Sequence, residues 1–176
     1  RGVEGKIGKN DIVIGNRTLM KEKKISFNKF TDSIDKFESE GKTTMIVAEK
    51  GKVIGIIAVA DALKEDSVLA IASLNSEGYE TVMITGDNER TAKAIAKEAG
   101  ISEVIANVLP EDKAKKVAEL QKKGMVAFVG DGINDAPALK QSNVGIAMGT
   151  GTDIAIESGD IVLAKGSLIG VTQAIN

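Results

Sequence analysis

The chain has 176 residues, and its 43% of apolar residues are enough for a hydrophobic core in one or two small domains. Its 23 Lys and Arg residues against 25 Asp and Glu give a formal net charge of -2, and 3% of its residues are aromatic. These values argue against nucleic acid as a partner. Because the sequence contains no Cys and no His, disulfides, thiolate metal sites and histidine bases are excluded. Any chemistry must therefore depend on carboxylates, Lys, Thr, Asn and backbone amides.

The amino-terminal residues predict a small α+β unit over residues 1–57. The segment "DIVIGN" is typical of a strand, and "TTMIVAEKGKVIGIIAVA" is typical of a hairpin that turns at Lys50-Gly51. Between them, apolar residues at helical spacing before Gly41 predict a helix with a core-facing stripe. The residues of this stripe are Phe27, Phe30, Ile34 and Phe37.

From Asp61 onward, helical patterns alternate with short apolar strands, which predicts a parallel sheet covered by helices. This change of pattern near "AVADALK" places a domain boundary between residues 57 and 58, with a hinge close by. Three glycines that follow helical patterns are predicted to form left-handed helix caps. They are Gly78, Gly100 and Gly124. The predicted elements, in chain order, are helix "EDSVLAIASLNSEG", strand "TVMITG", helix "NERTAKAIAKEAG", strand "SEVIANV", helix "PEDKAKKVAELQKKG", strand "VAFVGDG", helix "DAPALKQS" and strands "VGIAMG" and "DIVLA".

Polar residues follow two of these strands, where ligands bind in open α/β sheets. One strand ends in Thr85, Gly86 and Asp87. The other ends in Asp131 between Gly130 and Gly132, whose lack of side chains lets the backbone approach a ligand closely. Further residues predicted to reach the same crevice are Lys113, Asn134 and Asp135.

This residue set suits phosphoryl transfer, which needs positioned charge more than a strong base. The Thr85 hydroxyl and the Gly86 amide could donate hydrogen bonds to a phosphoryl oxygen, while Lys113 offsets its charge. Asp131 could hold Mg²⁺, with Asp135 as a second candidate ligand. Taken singly, these residues have simpler interpretations: "TGD" is a common turn, and Lys113 could be a solvated helix lysine. Asp153 and Asp160 are expected in loop or capping positions.

In combination, the motifs resemble a known family. The segments "TGDN", "LPEDK" and "VGDGINDAPAL", followed by "VGIAMGTGTDIAIESGDIVL", are similar to the phosphorylation domain of P-type ATPases, and the tail is most similar to heavy-metal pumps near the copper exporters. The resemblance implies a haloacid-dehalogenase-like Rossmannoid fold, a parallel sheet with helices on both faces, for residues 58–176. It also implies Mg²⁺ and ATP as cofactor and substrate.

The resemblance extends to residues 1–57, which are similar to the C-terminal part of a small α+β nucleotide-binding domain. The segments "RGVEG" and "IGNR" match its glycine-rich loop and its Gly-Asn-Arg segment. This match implies that Gly2, Gly5 and Asn16 lie near the nucleotide. In the same comparison, "ADALKEDS" resembles the linker between the domains and places Asp61 where they meet.

The family's phosphorylated aspartate, in a DKTGT motif, and its histidine-proline pair do not occur in the sequence. Because the chain also begins without methionine, we expect it to be a fragment of a longer protein. The resemblance places the nucleophile-bearing strand between "TVMITG" and "VAFVGDG". Without that strand, we expect two unpaired sheet edges, stable only if another segment supplies the strand or the two neighbours close onto each other.

Three interpretations of function follow. The first is the ATP-hydrolysing region of a heavy-metal exporter, with Cu(I) as the expected metal. It would lie at the cytoplasmic face of a membrane, with ATP, membrane helices, an actuator domain and the nucleophile-bearing segment as partners. The chain itself is expected to be soluble, because no apolar run approaches the roughly 18 residues of a membrane span. The second is an inactive fragment that binds nucleotide or Mg²⁺. The third is a phosphatase of the same superfamily, disfavoured because it also needs the nucleophilic aspartate.

Overall fold

The computed structural model of the chain describes residues 2–60, 63–131, 133–149, 153–163 and 166–175. Two compact units are present: Arg1–Ala62 with Arg90–Ile95, and Leu63–Glu89 with Ala96–Asn176. The predicted hinge residue Asp61 and the predicted close-approach residue Gly132 lie outside the described residues. Over the part of the chain that is described, the helices are too short or too polar to cross a membrane.

The first unit is an antiparallel sheet with two helices. Its strands pair in the order β1-β2-β3-β4. The predicted hairpin is confirmed: Lys50 and Gly51 link β3 to β4 with φ angles of 49° and 75°, as a two-residue turn requires. The segment that resembles a glycine-rich loop instead forms strand β1, and helix α1 was not predicted. The elements are β1 (Gly2–Ile7), β2 (Asn10–Gly15), α1 (Arg17–Glu22), α2 (Thr31–Ser39), β3 (Thr43–Glu49) and β4 (Lys52–Val59).

The core of this unit lies between the helices and one face of the sheet. Ile34 on α2 and Met20 on α1 are fully buried, together with Ile46 on β3. Phe27 and Phe30 pack against this cluster, which confirms most of the predicted stripe. The helix itself begins later than the pattern suggests, because a 3₁₀ turn over Asn28–Phe30 precedes α2. Gly41 ends the segment with a φ of 76°, as predicted.

The second unit alternates helices and parallel strands, as the pattern predicts. Its strands form two separate sheets, however, with orders β5-β6 and β7-β8-β9. The elements are α3 (Glu65–Ser76), β5 (Val82–Ile84), α4 (Glu89–Ala99), β6 (Glu103–Ile105), α5 (Lys113–Leu120), β7 (Ala127–Gly130), α6 (Ala136–Gln141), β8 (Val144–Met148), α7 (Asp153–Ser158), β9 (Ile161–Leu163) and α8 (Ile169–Ile175).

Two of the three predicted glycine caps are confirmed in this unit. Gly78 and Gly100 have φ angles of 90° and 78° after α3 and α4. The prediction for Gly124 is wrong, because α5 ends four residues earlier, at Leu120, and Gly124 is not in the left-handed region. Helices α7 and α8 were not predicted. The core is centred on β8, where Ile146 and Ala147 are fully buried.

Candidate functional site

A partly buried ion pair lies at the carboxyl end of β7. Lys113, the first residue of α5, donates from Nζ to Oδ1 of Asp135 across 2.6 Å. Asp135 immediately precedes α6 and is 7% exposed. Since removing a charge from water is costly, this carboxylate stabilises the charge of the half-buried Lys113 inside the site. The structure therefore brings together two predicted site residues that lie 22 positions apart in the sequence.

Gly130 allows Asp135 to lie directly against the end of β7. A Cβ atom added to Gly130 would lie 2.7 Å from the Cβ of Asp135, which is closer than real side chains approach. The Asp131 amide points toward Oδ2 of Asp135 at 3.4 Å, a long hydrogen bond. The side chains of Asp131 and Asn134, by contrast, are exposed. Asp131 is thus the carboxylate at this edge that faces solvent.

The residues that follow β5 form a compact turn. Thr85 donates from Oγ1 to Oδ2 of Asp87 across 3.0 Å, and the Asp87 amide donates back to Oγ1 across 3.1 Å. The Thr85 backbone is held as well, since its amide donates to Ile105 and its carbonyl accepts from Val108. Gly86 is exposed in the same turn. The predicted threonine hydroxyl is therefore fixed by Asp87, which receives its single proton, so the hydroxyl must turn away from this carboxylate before it can donate to another group.

A cavity of about 640 Å³ separates the two sheets of this unit. Residues of β5 and β7 line its walls, and Lys113, Asp131 and Asp135 contribute to the lining as well. Thr85, Gly86 and Asp87 do not line it, although they directly follow Ile84, which does. Among the described strands, β5 pairs with β6 and β7 pairs with β8, and no pairing joins β5 to β7. The two expected unpaired edges are thus present, and they have not closed onto each other.

The acidic residues at this edge fit a Mg²⁺ ion that also binds phosphate. In the described residues, no group of three or more Asp, Glu, His or Cys side chains could enclose a metal. Mg²⁺ does not require such a group, because it commonly takes one or two carboxylates and completes its shell with water and phosphate oxygens. The exposed residue Asp131, which lines the same cavity as Lys113, meets this requirement with its carboxylate.

The predicted nucleotide residues occupy three different environments in the first unit. Gly5 borders a shallow depression of about 180 Å³ on the β1–β2 hairpin, and no atom lies within 4 Å of a Cβ added there. Gly2 is sterically closed: with φ of 151°, an added Cβ would lie 2.2 Å from the Ile14 carbonyl oxygen. Asn16 caps α1, since its Oδ1 accepts from the Leu19 amide across 3.0 Å. Of the three, Gly5 has open space beside it.

A charged cluster that the sequence analysis did not identify lies on α2. Glu38, only 4% exposed, accepts from Arg17 across 2.9 Å and from the Thr44 hydroxyl across 3.0 Å. Asp35, one turn earlier, accepts from Arg17 and from Arg90. These arginines hold the pKa of Asp35 below its ordinary value, with the Arg17 hydrogen bond as the main cause. The three-residue spacing of Asp35 and Glu38 on one helix was the available sequence signal. Their arginine partners could not be predicted from it, because these lie far away in the sequence.

Comparison with known proteins identifies the family to which this chain belongs. The sequence model of a hydrolase family, the haloacid dehalogenase-like hydrolases, matches residues 4–143. The chain belongs to this family. The match includes Thr85, Lys113 and both aspartates of the "GDGIND" segment, and the family accounts for the parallel strands and helices of the second unit.

Within the haloacid dehalogenase-like hydrolases, the chain is similar to metal-transporting P-type ATPases. Copper-exporting P-type ATPases of Bacillus subtilis (strain 168) and Staphylococcus haemolyticus (strain JCSC1435) are 48% and 50% identical to it, over 99% of this chain. The chain spans 22% of the length of each of these relatives. The resemblance to copper exporters found in the motifs is therefore confirmed over nearly all of the sequence.

Solved structures of such ATPases share the fold. A zinc-transporting PIB-type ATPase in the E2.Pi state superposes with a TM-score of 0.70 at 42% identity, covering 99% of this chain and 28% of that one. The catalytic domain of the CPx-ATPase CopB-B gives a TM-score of 0.65 at 29% identity and covers 99% of this chain and 61% of that one. The predicted haloacid-dehalogenase-like fold is thus confirmed.

Proposed function

We propose that this chain is the cytoplasmic ATP-binding and phosphoryl-transfer region of a heavy-metal pump that exports Cu(I). The observation that carries the proposal is the juxtaposition of Lys113, Asp135 and Asp131 at the carboxyl end of β7, on the cavity between the two sheets. A fixed cation and an exposed carboxylate at one strand end are the charges that a transferring phosphoryl group requires. The similarity to copper-exporting P-type ATPases supports copper as the transported metal.

Each site residue has a distinct role in this proposal. Lys113 offsets the negative charge of the phosphoryl oxygens, and Asp131 holds Mg²⁺, with Asp135 as the second candidate ligand. The exposed residue Gly86 offers its backbone amide to a phosphoryl oxygen. Thr85 donates to the same oxygen once its hydroxyl turns away from Asp87. Asn134 lies in the 3₁₀ turn that precedes α6. When bound, Mg²⁺ supplies charge neutralisation for the phosphate oxygens.

The acceptor carboxylate reaches the site on an extended segment that enters the cavity between β5 and β7. Strands β5 and β7 each pair on one side within the described sheets and line the same cavity, so their other edges offer backbone hydrogen bonds to an added strand. An aspartate at the end of that segment would lie beside Lys113 and Asp131. The remaining parts of the pump, including membrane helices and an actuator domain, are the partners of this region.

Nucleotide binds to the first unit in this proposal, near Gly5 on the β1–β2 hairpin and near the neighbouring Gly2 and Asn16. The depression of about 180 Å³ is smaller than the 300–1,000 Å³ typical of ligand pockets, so it would contact only part of ATP. A structure of the similar CPx-ATPase CopB-B concerns conformational changes in its catalytic domain upon nucleotide binding, which supports nucleotide as a ligand of this region.

The central experiment is Mg²⁺-dependent labelling with γ-³²P-ATP, in the longer pump and in the 176-residue chain alone. We expect labelled protein from the pump and none from the isolated chain. Asp131→Ala in the pump should abolish labelling while nucleotide binding remains, because the two functions lie in different units. Asp112→Asn is the matched control, since Asp112 pairs with Lys115 on the surface. Equal loss of labelling and nucleotide binding in Asp131→Ala would contradict the proposal.

The nucleotide assignment is tested by a pair of glycine variants. Neither Gly5 nor Gly55 has an atom within 4 Å of an added Cβ, so alanine fits the fold at both positions. We expect Gly5→Ala to weaken ATP binding several-fold and Gly55→Ala to leave it unchanged, as measured by calorimetry on the pump. Unchanged binding in both variants would exclude close contact between nucleotide and β1.

A further inference from the structure

The loop after β6 contains an asparagine with a left-handed backbone. Asn107 has a φ angle of 57°, in the region that residues other than glycine seldom adopt. Among the described residues, the other non-glycine residues with positive φ are Lys24, which follows the carboxyl end of α1, and Lys50, which forms the β3–β4 turn. Left-handed backbone is common in those two settings. Asn107 belongs to neither, since it lies between β6 and the 3₁₀ turn that begins at Pro110.

The backbone around Asn107 joins this loop to the turn that follows β5. The Asn107 amide donates to the Asp87 carbonyl across 2.8 Å, and the next amide, that of Val108, donates to the Thr85 carbonyl across 3.0 Å. The Thr85 amide donates in turn to the Ile105 carbonyl across 3.0 Å. These three hydrogen bonds continue the contact between the two chain segments beyond the β5–β6 pairing. Because Val108 is buried, it also anchors the loop in the protein interior.

The positive φ of Asn107 explains how two successive amides reach the same turn. In an extended strand, successive amides point to opposite sides of the chain, so they cannot both donate to one neighbour. A left-handed residue turns the chain and brings successive N–H groups to the same side. The turn held in this way includes the exposed Gly86, where an added Cβ would lie 3.4 Å from the Val108 carbonyl oxygen. The conformation of Asn107 therefore determines the position of Gly86.

We propose that Asn107 is a positioning residue for phosphoryl transfer, because its left-handed backbone fixes the turn over residues 85–87 that binds the phosphoryl oxygen. This inference rests on the proposed function and adds to it a residue of the loop after β6. The Asn107 side chain is exposed, so we assign the role to the backbone conformation. Glycine adopts this conformation without steric cost and should replace Asn107. Valine should not, since a positive φ in a β-branched residue is strongly disfavoured and would force the loop and the turn to shift.

Labelling of the longer pump with ³²P-phosphate, without ATP, tests this inference. In this reaction, inorganic phosphate and the acceptor carboxylate condense with release of water, and the half-saturating phosphate concentration measures how well the site holds phosphate. This concentration does not depend on the fraction of folded protein, so lost stability alone would not change it. We expect Asn107→Val to raise it by about fivefold or more and Asn107→Gly to leave it within about twofold. Affinity for ATP, measured by calorimetry, should be unchanged in both variants, because nucleotide binds to the first unit.

Lys24→Val is the matched control, since Lys24 is exposed, has a φ angle of 55° and lies in the first unit. It should lower the melting temperature and leave the half-saturating phosphate concentration unchanged. No rise in Asn107→Val, or an equal rise in Lys24→Val, would overturn the inference. An equal rise in Asn107→Gly would overturn it as well, because the side chain and not the backbone would then be important.

If Asn107→Val does not fold, Asn107→Ala takes its place, because alanine reaches the left-handed region at a moderate cost. We expect this variant to raise the half-saturating phosphate concentration by about threefold. Equal values for Asn107→Ala and Asn107→Gly would overturn the inference. Failure of the proposed function looks different: the parent pump would then be labelled by neither phosphate nor ATP, whichever residue occupies position 107.

Discussion

At the scale of single residues, the ion pairs of Asp35 with two arginines make the stability of the fold depend on pH in the acid range. Hydrogen bonds from Arg17 and Arg90 lower the pKa of this carboxyl, so the folded state binds its proton less readily than the unfolded state. Its contribution to the free energy of unfolding is complete above the ordinary aspartate pKa of about 4. This contribution is lost as the pH falls through the lowered folded-state value.

We therefore expect Asp35→Asn to lower the melting temperature at pH 7, and this difference from the parent chain should shrink below about pH 4. Thermal melts followed by circular dichroism from pH 7 to pH 3 measure the effect. Asp32→Asn, an exposed position on the same helix, is the control and should change little. A difference that stays constant down to pH 3 would show that the ion pairs do not contribute.

At the scale of an element, α1 depends on its amino-terminal cap. This helix has only six residues, and the Asn16 side chain accepts from the Leu19 amide in its first turn. We expect Asn16→Ala to lower the free energy of unfolding by about 1 kcal/mol, whereas Asn16→Asp should retain the cap. Urea denaturation, followed by a spectroscopic signal from the first unit, measures the free energy of unfolding of both variants. Equal destabilisation by alanine and aspartate would indicate that the amide nitrogen of Asn16, and not its capping oxygen, is important.

At the scale of the whole molecule, the strands of the second unit should differ in their protection from hydrogen exchange. Strand β8 pairs with a neighbour on each side, and its Ile146 and Ala147 are fully buried. Strands β5 and β7 each pair on one side in the described sheets and line the cavity on the other. We expect the β8 amides to exchange slowest and the unpaired amides of β5 and β7 to exchange orders of magnitude faster. Uniformly slow exchange across all three strands would contradict the open edges.

Sequence patterns predict the family and the strand ends of this molecule better than the exact bounds of its elements. The strand-end positions of Thr85 and Asp131 follow from alternating apolar segments and from the rule for parallel sheets. The Lys113–Asp135 contact was predicted only as proximity, because its geometry depends on how α5 and α6 pack. Helix α1 escaped prediction because six residues carry too little periodicity, although Asn16 is a typical capping residue. Strand β1 was mistaken for a loop because its two glycines disfavour sheet, yet pairing with β2 outweighs that preference.

The close approach of Gly130 to Asp135 also bears on how freely this sequence can vary. Every substitution of a glycine adds a Cβ, and at position 130 that single atom already overlaps the aspartate that holds Lys113. Gly145 and Gly159 are similarly closed by neighbouring backbone or side-chain atoms, whereas Gly5, Gly55 and Gly124 have open space. In a saturation-mutagenesis library, we therefore expect that folded variants keep glycine at positions 130, 145 and 159. Tolerance at Gly55 and Gly124 would follow from packing alone, and intolerance at Gly5 would then reflect a bound molecule.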